Sequence, residues 1–148
     1  MGYYRAGFEV IGVDLQPQPR YPFEFHQADA MTYPLDGFDA IHASPPCQAY
    51  TVAQNATHNR GAHPDLVAPV RGMLLATGRP FVIENVVGAP LVEPITLCGS
   101  MFGLHVKRHR LFECNLFFLA PLCDHKSYRP QFPPCSTDRT HLTRFISP

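Results

Sequence analysis

The stretch SPPCQAYT, residues 44–51, sets a cysteine behind two prolines at the end of a short apolar run. Proline holds φ at about −65° and donates no backbone hydrogen bond, so Pro45 and Pro46 leave the turn entering Cys47 few conformations. A free cysteine is commonly a small buried hydrophobe, but a thiol on a stiffened turn is an aimed one. Further along, FVIENV (81–86) puts Glu84 and Asn85 at the exit of a compact apolar run. In KRHRLF (107–112) the alternation of an extended chain brings Arg108 and Arg110 to one side. A nucleophile, an acid and a pair of guanidinium groups are the parts that covalent catalysis with proton sharing requires.

Something must hold those parts together. Residues 2–23 read as a short helix, a strand over 10–13 that ends at Asp14, and a proline-rich loop. A second strand around FHQADA ends near Ala28 and Asp29, and FDAIHAS (38–44) is a third that delivers the Pro-Pro-Cys turn. Helical spacing of Leu66, Val67, Val70, Leu74 and Leu75 predicts a helix stopped by Gly78, with Pro69 near its start as a place for a kink. RPFVIENVVG supplies a buried strand over 81–83, and 110–122 carries at least one more, with a hairpin through Asn115 as one option. Strands alternating with helices imply one parallel α/β sheet, which binds ligands at the carboxyl ends of its strands. Asp14, Asp29, Cys47 and Glu84 all fall at such ends, so one face would gather two carboxylates suited to a ribose and a base, a nucleophile, and an acid. From residue 123 onward the chain is rich in proline and polar residues without helical or alternating period, and reads as a loop-rich tail.

Length and charge narrow the function classes. A chain of 148 residues suits a single domain. Its 45% hydrophobic and 16% charged residues are ordinary globular composition. No apolar run nears the roughly 18 residues of a membrane span, and no cleavable signal is visible. Twelve Lys and Arg balance twelve Asp and Glu, so contact with nucleic acid must use a local patch, of which VKRHR (106–110) is the densest. Five cysteines, an odd and widely spaced set, favour reduced thiols and a cytoplasmic location over a disulfide framework. Cys123, His125 and Cys135 offer metal ligands, but their spacing follows no recognised paired pattern, and no metal is expected. Cys98, Cys114, Cys123 and Cys135 read as structural or incidental, and His42, His105 and His109 as surface or satisfied groups.

SPPCQAYT, FVIENV and KRHRLF, in that order and spacing, resemble the DNA (cytosine-5) methyltransferases over roughly residues 2–119. The family carries its nucleophile on a Pro-Cys-Gln turn, its acid in a Glu-Asn-Val segment and part of its base pocket in an Arg-x-Arg segment. The resemblance implies a Rossmann-like, S-adenosylmethionine-dependent methyltransferase fold with a mostly parallel sheet, incomplete at its N-terminus. The catalytic domain spans 1–122, and 123–148 is a tail or the stub of a recognition segment. Carried over residue by residue, Cys47 is the thiolate that adds to carbon 6 of cytosine and Glu84 the carboxyl group at ring nitrogen 3. Asn85 braces the turn, Arg110 reaches oxygen 2, and Arg108 lies near the nucleophile and a phosphate. Asp14 takes the ribose hydroxyls of the donor, Asp29 its adenine amino group, and Pro46 lines the donor pocket. Residues 49–63 correspond to the loop that closes over DNA. The implied partners are double-stranded DNA with the target base flipped out and a restriction endonuclease; the implied setting is a bacterial or phage-infected cytoplasm.

Departures from the pattern are equally visible. The Asp-Leu-Phe-x-Gly-x-Gly strand and turn that cradles the donor's methionine part is absent, as are the closing segment and a recognition domain. Asp14 stands where glutamate is usual, and Val106 where the family has glutamine. Two other readings remain open on these residues. One is a catalytically inactive module that binds DNA or a partner. The other is an amino-group methyltransferase, in which an aromatic residue would replace Cys47.

Overall fold

The computed structural model describes residues 2–50 and 63–125. The greater part of the expected DNA-closing loop and of the tail lies outside these residues. The chain divides into two compact units, one built from the residues up to Leu35 and the other from Asp36 onward.

The first unit holds α1 (Gly2–Arg5), β1 (Ile11–Asp14) and β2 (Glu24–Gln27). β1 and β2 pair in parallel, Ile11 opposite Glu24 and Asp14 opposite Gln27. None of its described residues is buried. Aromatic contacts hold it together: Tyr4 lies 5.2 Å from Phe23, and Tyr21 lies 5.7 Å from Phe23 and 5.8 Å from Phe25 between ring centroids.

The second unit contains β3 (Ile41–Ala43), α2 (Val67–Thr77), β4 (Phe81–Asn85), β5 (Ile95–Cys98), a single 3-10 turn (Gly99–Phe102) and β6 (His109–Cys114). These strands form one sheet in the order β3-β4-β6-β5. Val67, Val70 and Leu74 of α2 and Phe81 and Ile83 of β4 are among its buried core residues. Glu113, 5% exposed, ties α2 to the sheet. Arg71 grips it with Nε on Oε1 at 2.5 Å and Nη2 on Oε2 at 2.7 Å, and the Val92 N–H adds a bond at 2.8 Å. Burial alone would raise the Glu113 carboxyl, but the Arg71 and Val92 donors outweigh it and hold the pKa below the usual carboxylate value.

Several expectations change here. The single sheet resolves into two, a β1-β2 pair and a four-stranded sheet, so the four chemistry-bearing strand ends do not share one sheet. Nor is the larger sheet mostly parallel: β3 and β4 are parallel, but β6 runs antiparallel to both β4 and β5. The cause is the connection. Parallel neighbours need a long crossover, usually a helix, and between β5 and β6 the chain forms only one 3-10 turn. No hairpin turns at Asn115; its side chain instead accepts from the Phe81 N–H at 2.8 Å and donates to the Arg79 carbonyl at 2.8 Å, joining the end of β6 to the start of β4. Pro69 sits in the first turn of α2, where its missing N–H would have had no intrahelical acceptor. Gly78 closes the helix at φ 64°, a left-handed cap that favours glycine.

Candidate active site

Two parallel strands aim the site. β3 ends at Ala43 and the chain passes through Ser44 into Pro45, which is buried, and then Pro46 and Cys47, which are more accessible. Alternation along β4 sends Phe81, Ile83 and Asn85 into the interior and leaves Val82 and Glu84 half-buried on the other side. Asn85, only 1% exposed, is a polar group that the interior tolerates because both ends of its amide are used. Its Nδ2 donates to the Pro45 carbonyl at 2.9 Å and its Oδ1 accepts from the Val86 N–H at 2.9 Å. The amide thus ties the exit of β4 to the proline turn that carries the thiol.

A cavity of about 280 Å³ lies at this junction. Its walls are residues 44–48, residues 84–86 and Arg110, so that Cys47, Pro46, Glu84, Asn85 and Arg110 border one space. The volume falls just below the roughly 300–1,000 Å³ of drug-sized ligand pockets, which suits a single heterocycle. Register explains the arginine: β6 runs antiparallel beside β4 with Glu84 opposite Phe112, and Arg110 Nε meets Glu84 Oε1 at 2.9 Å. Arg110 Nη1 also donates to the His109 carbonyl at 3.0 Å. A guanidinium carries five donors and a carboxylate about four acceptor positions, so this contact exhausts neither group. A thiol, a carboxyl and a guanidinium facing one small space can add to an electron-poor ring, share a proton with it and hold a ring oxygen.

Not every expected residue joins them. Arg108 precedes β6, is exposed, and does not border the cavity; the alternation that pairs it with Arg110 requires a strand that begins only at His109. Asp14 and Asp29 lie together in the first unit, at the carboxyl end of the β1-β2 pair, where the Ala28 N–H donates to the Asp14 carbonyl at 3.1 Å. Both carboxylates serve local turns: Asp14 Oδ1 accepts from the Gln16 N–H at 2.8 Å, and Asp29 Oδ1 from the Met31 N–H at 2.9 Å.

Asp65 caps the entry to α2 through the Val67 N–H at 3.0 Å and also accepts from the Tyr50 hydroxyl. Burial and that carboxylate push the Tyr50 hydroxyl pKa up to about 12. Tyr50 N–H in turn donates to the Cys47 carbonyl at 3.0 Å, so the turn is also anchored on its downstream side.

A second cluster of reactive side chains gathers at the far edge of the same sheet. Cys98 at the end of β5, His109 at the start of β6, and Cys123 and His125 beyond it bring two sulfurs and two imidazoles within 4.8 Å of one another. The sequence hinted at half of this set, Cys123 and His125. Cys98 and His109 carried no spacing signal, because antiparallel pairing of β5 and β6 makes them neighbours. Cys135, the third residue weighed as a ligand, lies outside the described residues.

Comparisons of this chain with protein families, with curated proteins and with solved structures find no match.

Proposed function

We propose that this chain is a DNA cytosine-5 methyltransferase, in which Cys47 attacks a flipped-out cytosine in the cavity between β3, β4 and β6. The observation that carries the reading is the convergence of Cys47, Glu84, Asn85 and Arg110 on one small cavity, because these four belong to the three segments that resemble that family. Chemistry supplies the rest. The Cys47 thiolate forms a carbon–sulfur bond to carbon 6, and the electron pair displaced from the 5,6 double bond makes carbon 5 nucleophilic. Glu84 shares a proton with ring nitrogen 3, which limits the negative charge that the addition creates, and Arg110 donates to oxygen 2. After carbon 5 is methylated it gives up its proton to a base, the electron pair of that carbon–hydrogen bond re-forms the 5,6 double bond, and the thiolate leaves with the carbon–sulfur pair.

S-adenosylmethionine, when bound, supplies an electrophilic sulfonium methyl group. Asp14 and Asp29 are acceptors at one end of a parallel strand pair, the chemistry that ribose hydroxyls and an adenine amino group require, so this donor set fits. Two parallel strand pairs, β1-β2 and β3-β4, are elements that a Rossmann-like methyltransferase sheet contains. Lys107 and Arg108, both exposed ahead of β6, are a local basic patch for a DNA backbone, since net charge supplies none.

A second reading, a module that binds DNA without turnover, needs only the exposed basic patch of Lys107 and Arg108. One assay separates the two. The chain is incubated with S-adenosylmethionine and duplexes containing 5-fluorocytosine, where fluorine cannot leave as a proton does and the protein–DNA bond persists. A donor-dependent covalent adduct that is lost in Cys47→Ser upholds the methyltransferase. Binding without an adduct identifies the inactive module, and methylated adenine would transfer the chain to the amino-group class.

A further inference from the structure

We propose that Cys98, His109, Cys123 and His125 form a structural zinc site that fastens the irregular segment after β6 to the β5-β6 edge. It stands independently of the role given to Cys47.

The geometry has the composition and the scale of a tetrahedral Cys2His2 centre. Zinc–sulfur bonds of about 2.3 Å and zinc–nitrogen bonds of about 2.0 Å at tetrahedral angles put ligand sulfur and nitrogen about 3.5 Å apart. Cys98 Sγ lies 3.5 Å from His125 Nε2, and Cys123 Sγ lies 3.4 Å from His109 Nε2. Cys123 Sγ and His125 Nε2, at 2.6 Å, need to separate by about 0.9 Å on the same bond lengths. Both histidines present Nε2, and their rings sit 5.0 Å apart between centroids. Thiolate with imidazole is the donor set that selects zinc among common divalent ions. Four protein ligands complete its coordination and leave no position for substrate, which marks the site as structural.

The surroundings fit a metal-bearing sulfur. Ser100 Oγ lies 3.4 Å from Cys98 Sγ and 3.4 Å from Cys123 Sγ, a hydroxyl placed to donate its one hydrogen to either sulfur. The backbone also turns tightly here: a Cβ at Gly99 would stand 2.5 Å from the Val106 carbonyl oxygen, so only glycine permits the close approach.

The segment beyond β6 needs such an anchor. Leu116, Phe117, Phe118, Leu119 and Leu122 are all more than half exposed, Phe117 at 90% and Leu122 at 94%. Apolar packing among the described residues therefore holds residues 116–122 only loosely, yet Cys123 and His125 arrive beside Cys98, which is 2% exposed. A disulfide between Cys98 and Cys123 would join the same elements but would give the two imidazoles no part. Because His109 immediately precedes Arg110, the ion would also steady the strand entrance that carries the cavity's arginine.

The test uses the full chain, purified without chelator. Elemental analysis should find one zinc per chain. Exchange for cobalt(II) should give the strong ligand-field bands of a tetrahedral ion together with thiolate-to-cobalt charge transfer, a readout independent of activity and of any variant's folding. Cys98→Ser and Cys123→Ser should lose the metal, Cys114→Ser should keep it, and His125→Cys should keep cobalt with increased charge-transfer intensity. A wild-type chain that takes up no tetrahedral cobalt overturns the proposal. So does an intact mass showing Cys98 disulfide-bonded to Cys123, or a metal lost in Cys135→Ser and retained in Cys98→Ser.

Discussion

Asn85 braces the turn that carries Cys47, and replacing it tests the proposed site without touching the thiol itself. In Asn85→Ala the Pro45 carbonyl loses its donor inside the structure, and the Val86 N–H loses its acceptor at a part-buried position. An abandoned buried partner costs about 1–3 kcal/mol, while a part-buried one regains some solvent, so the expected loss is about 2–4 kcal/mol. With a urea slope of about 1–2 kcal/mol per molar, a loss near 3 kcal/mol moves the midpoint down by about 1.5–3 M. Asn85→Asp should be at least as harmful although its shape is retained, because a carboxylate oxygen would then face the Pro45 carbonyl. Released from its brace, the proline turn should wander, and a misplacement of about 1 Å slows chemistry by about a hundredfold. Urea unfolding followed by circular dichroism and the rate of 5-fluorocytosine adduct formation at a temperature where the variant is folded measure the two effects. A midpoint shift corresponding to less than about 0.5 kcal/mol, the range of an ordinary surface substitution, with an unchanged adduct rate would refute the claim that this amide positions Cys47.

Other expectations concern the sheet, the helix and the reacting groups. Glu113→Gln breaks the Arg71 pair and should cost about 3 kcal/mol or more, as removal of one partner from a buried ion pair does. Because the folded-state pKa of Glu113 is depressed, the stability from this pair is fully present above the unfolded-state carboxylate value and disappears as pH falls through the folded value. Acid unfolding curves of Glu113→Gln should therefore be flatter over that window than those of the wild type. Leu74→Ala empties a fully buried position on α2 and should destabilise the chain by about 2–5 kcal/mol in thermal or urea unfolding. Glu84→Gln should leave the fold intact and slow adduct formation by about 10²–10⁴-fold, the usual share of a positioned acid; an unaltered rate would remove Glu84 from the mechanism.

Much of the candidate site was legible along the chain because its signals are local. Two prolines before Cys47 restrict φ wherever the segment lies, the run at 81–83 demands burial, and Gly78 stops a helix by its own backbone freedom. Those facts led to the thiol turn, to β4 with Glu84 and Asn85 at its end, and to α2. What the sequence could not determine is which strands become neighbours, since pairing depends on connections and on the competition among edges. Tertiary structure alone placed β6 antiparallel against β4, which swings Arg110 onto Glu84 and leaves Arg108 outside. It also split the expected single sheet, so Asp14 and Asp29 belong to a separate pair from the strands of the thiol cavity. By setting β5 beside β6 it brought Cys98 opposite His109, residues eleven apart whose types meant nothing until the ladder made them neighbours.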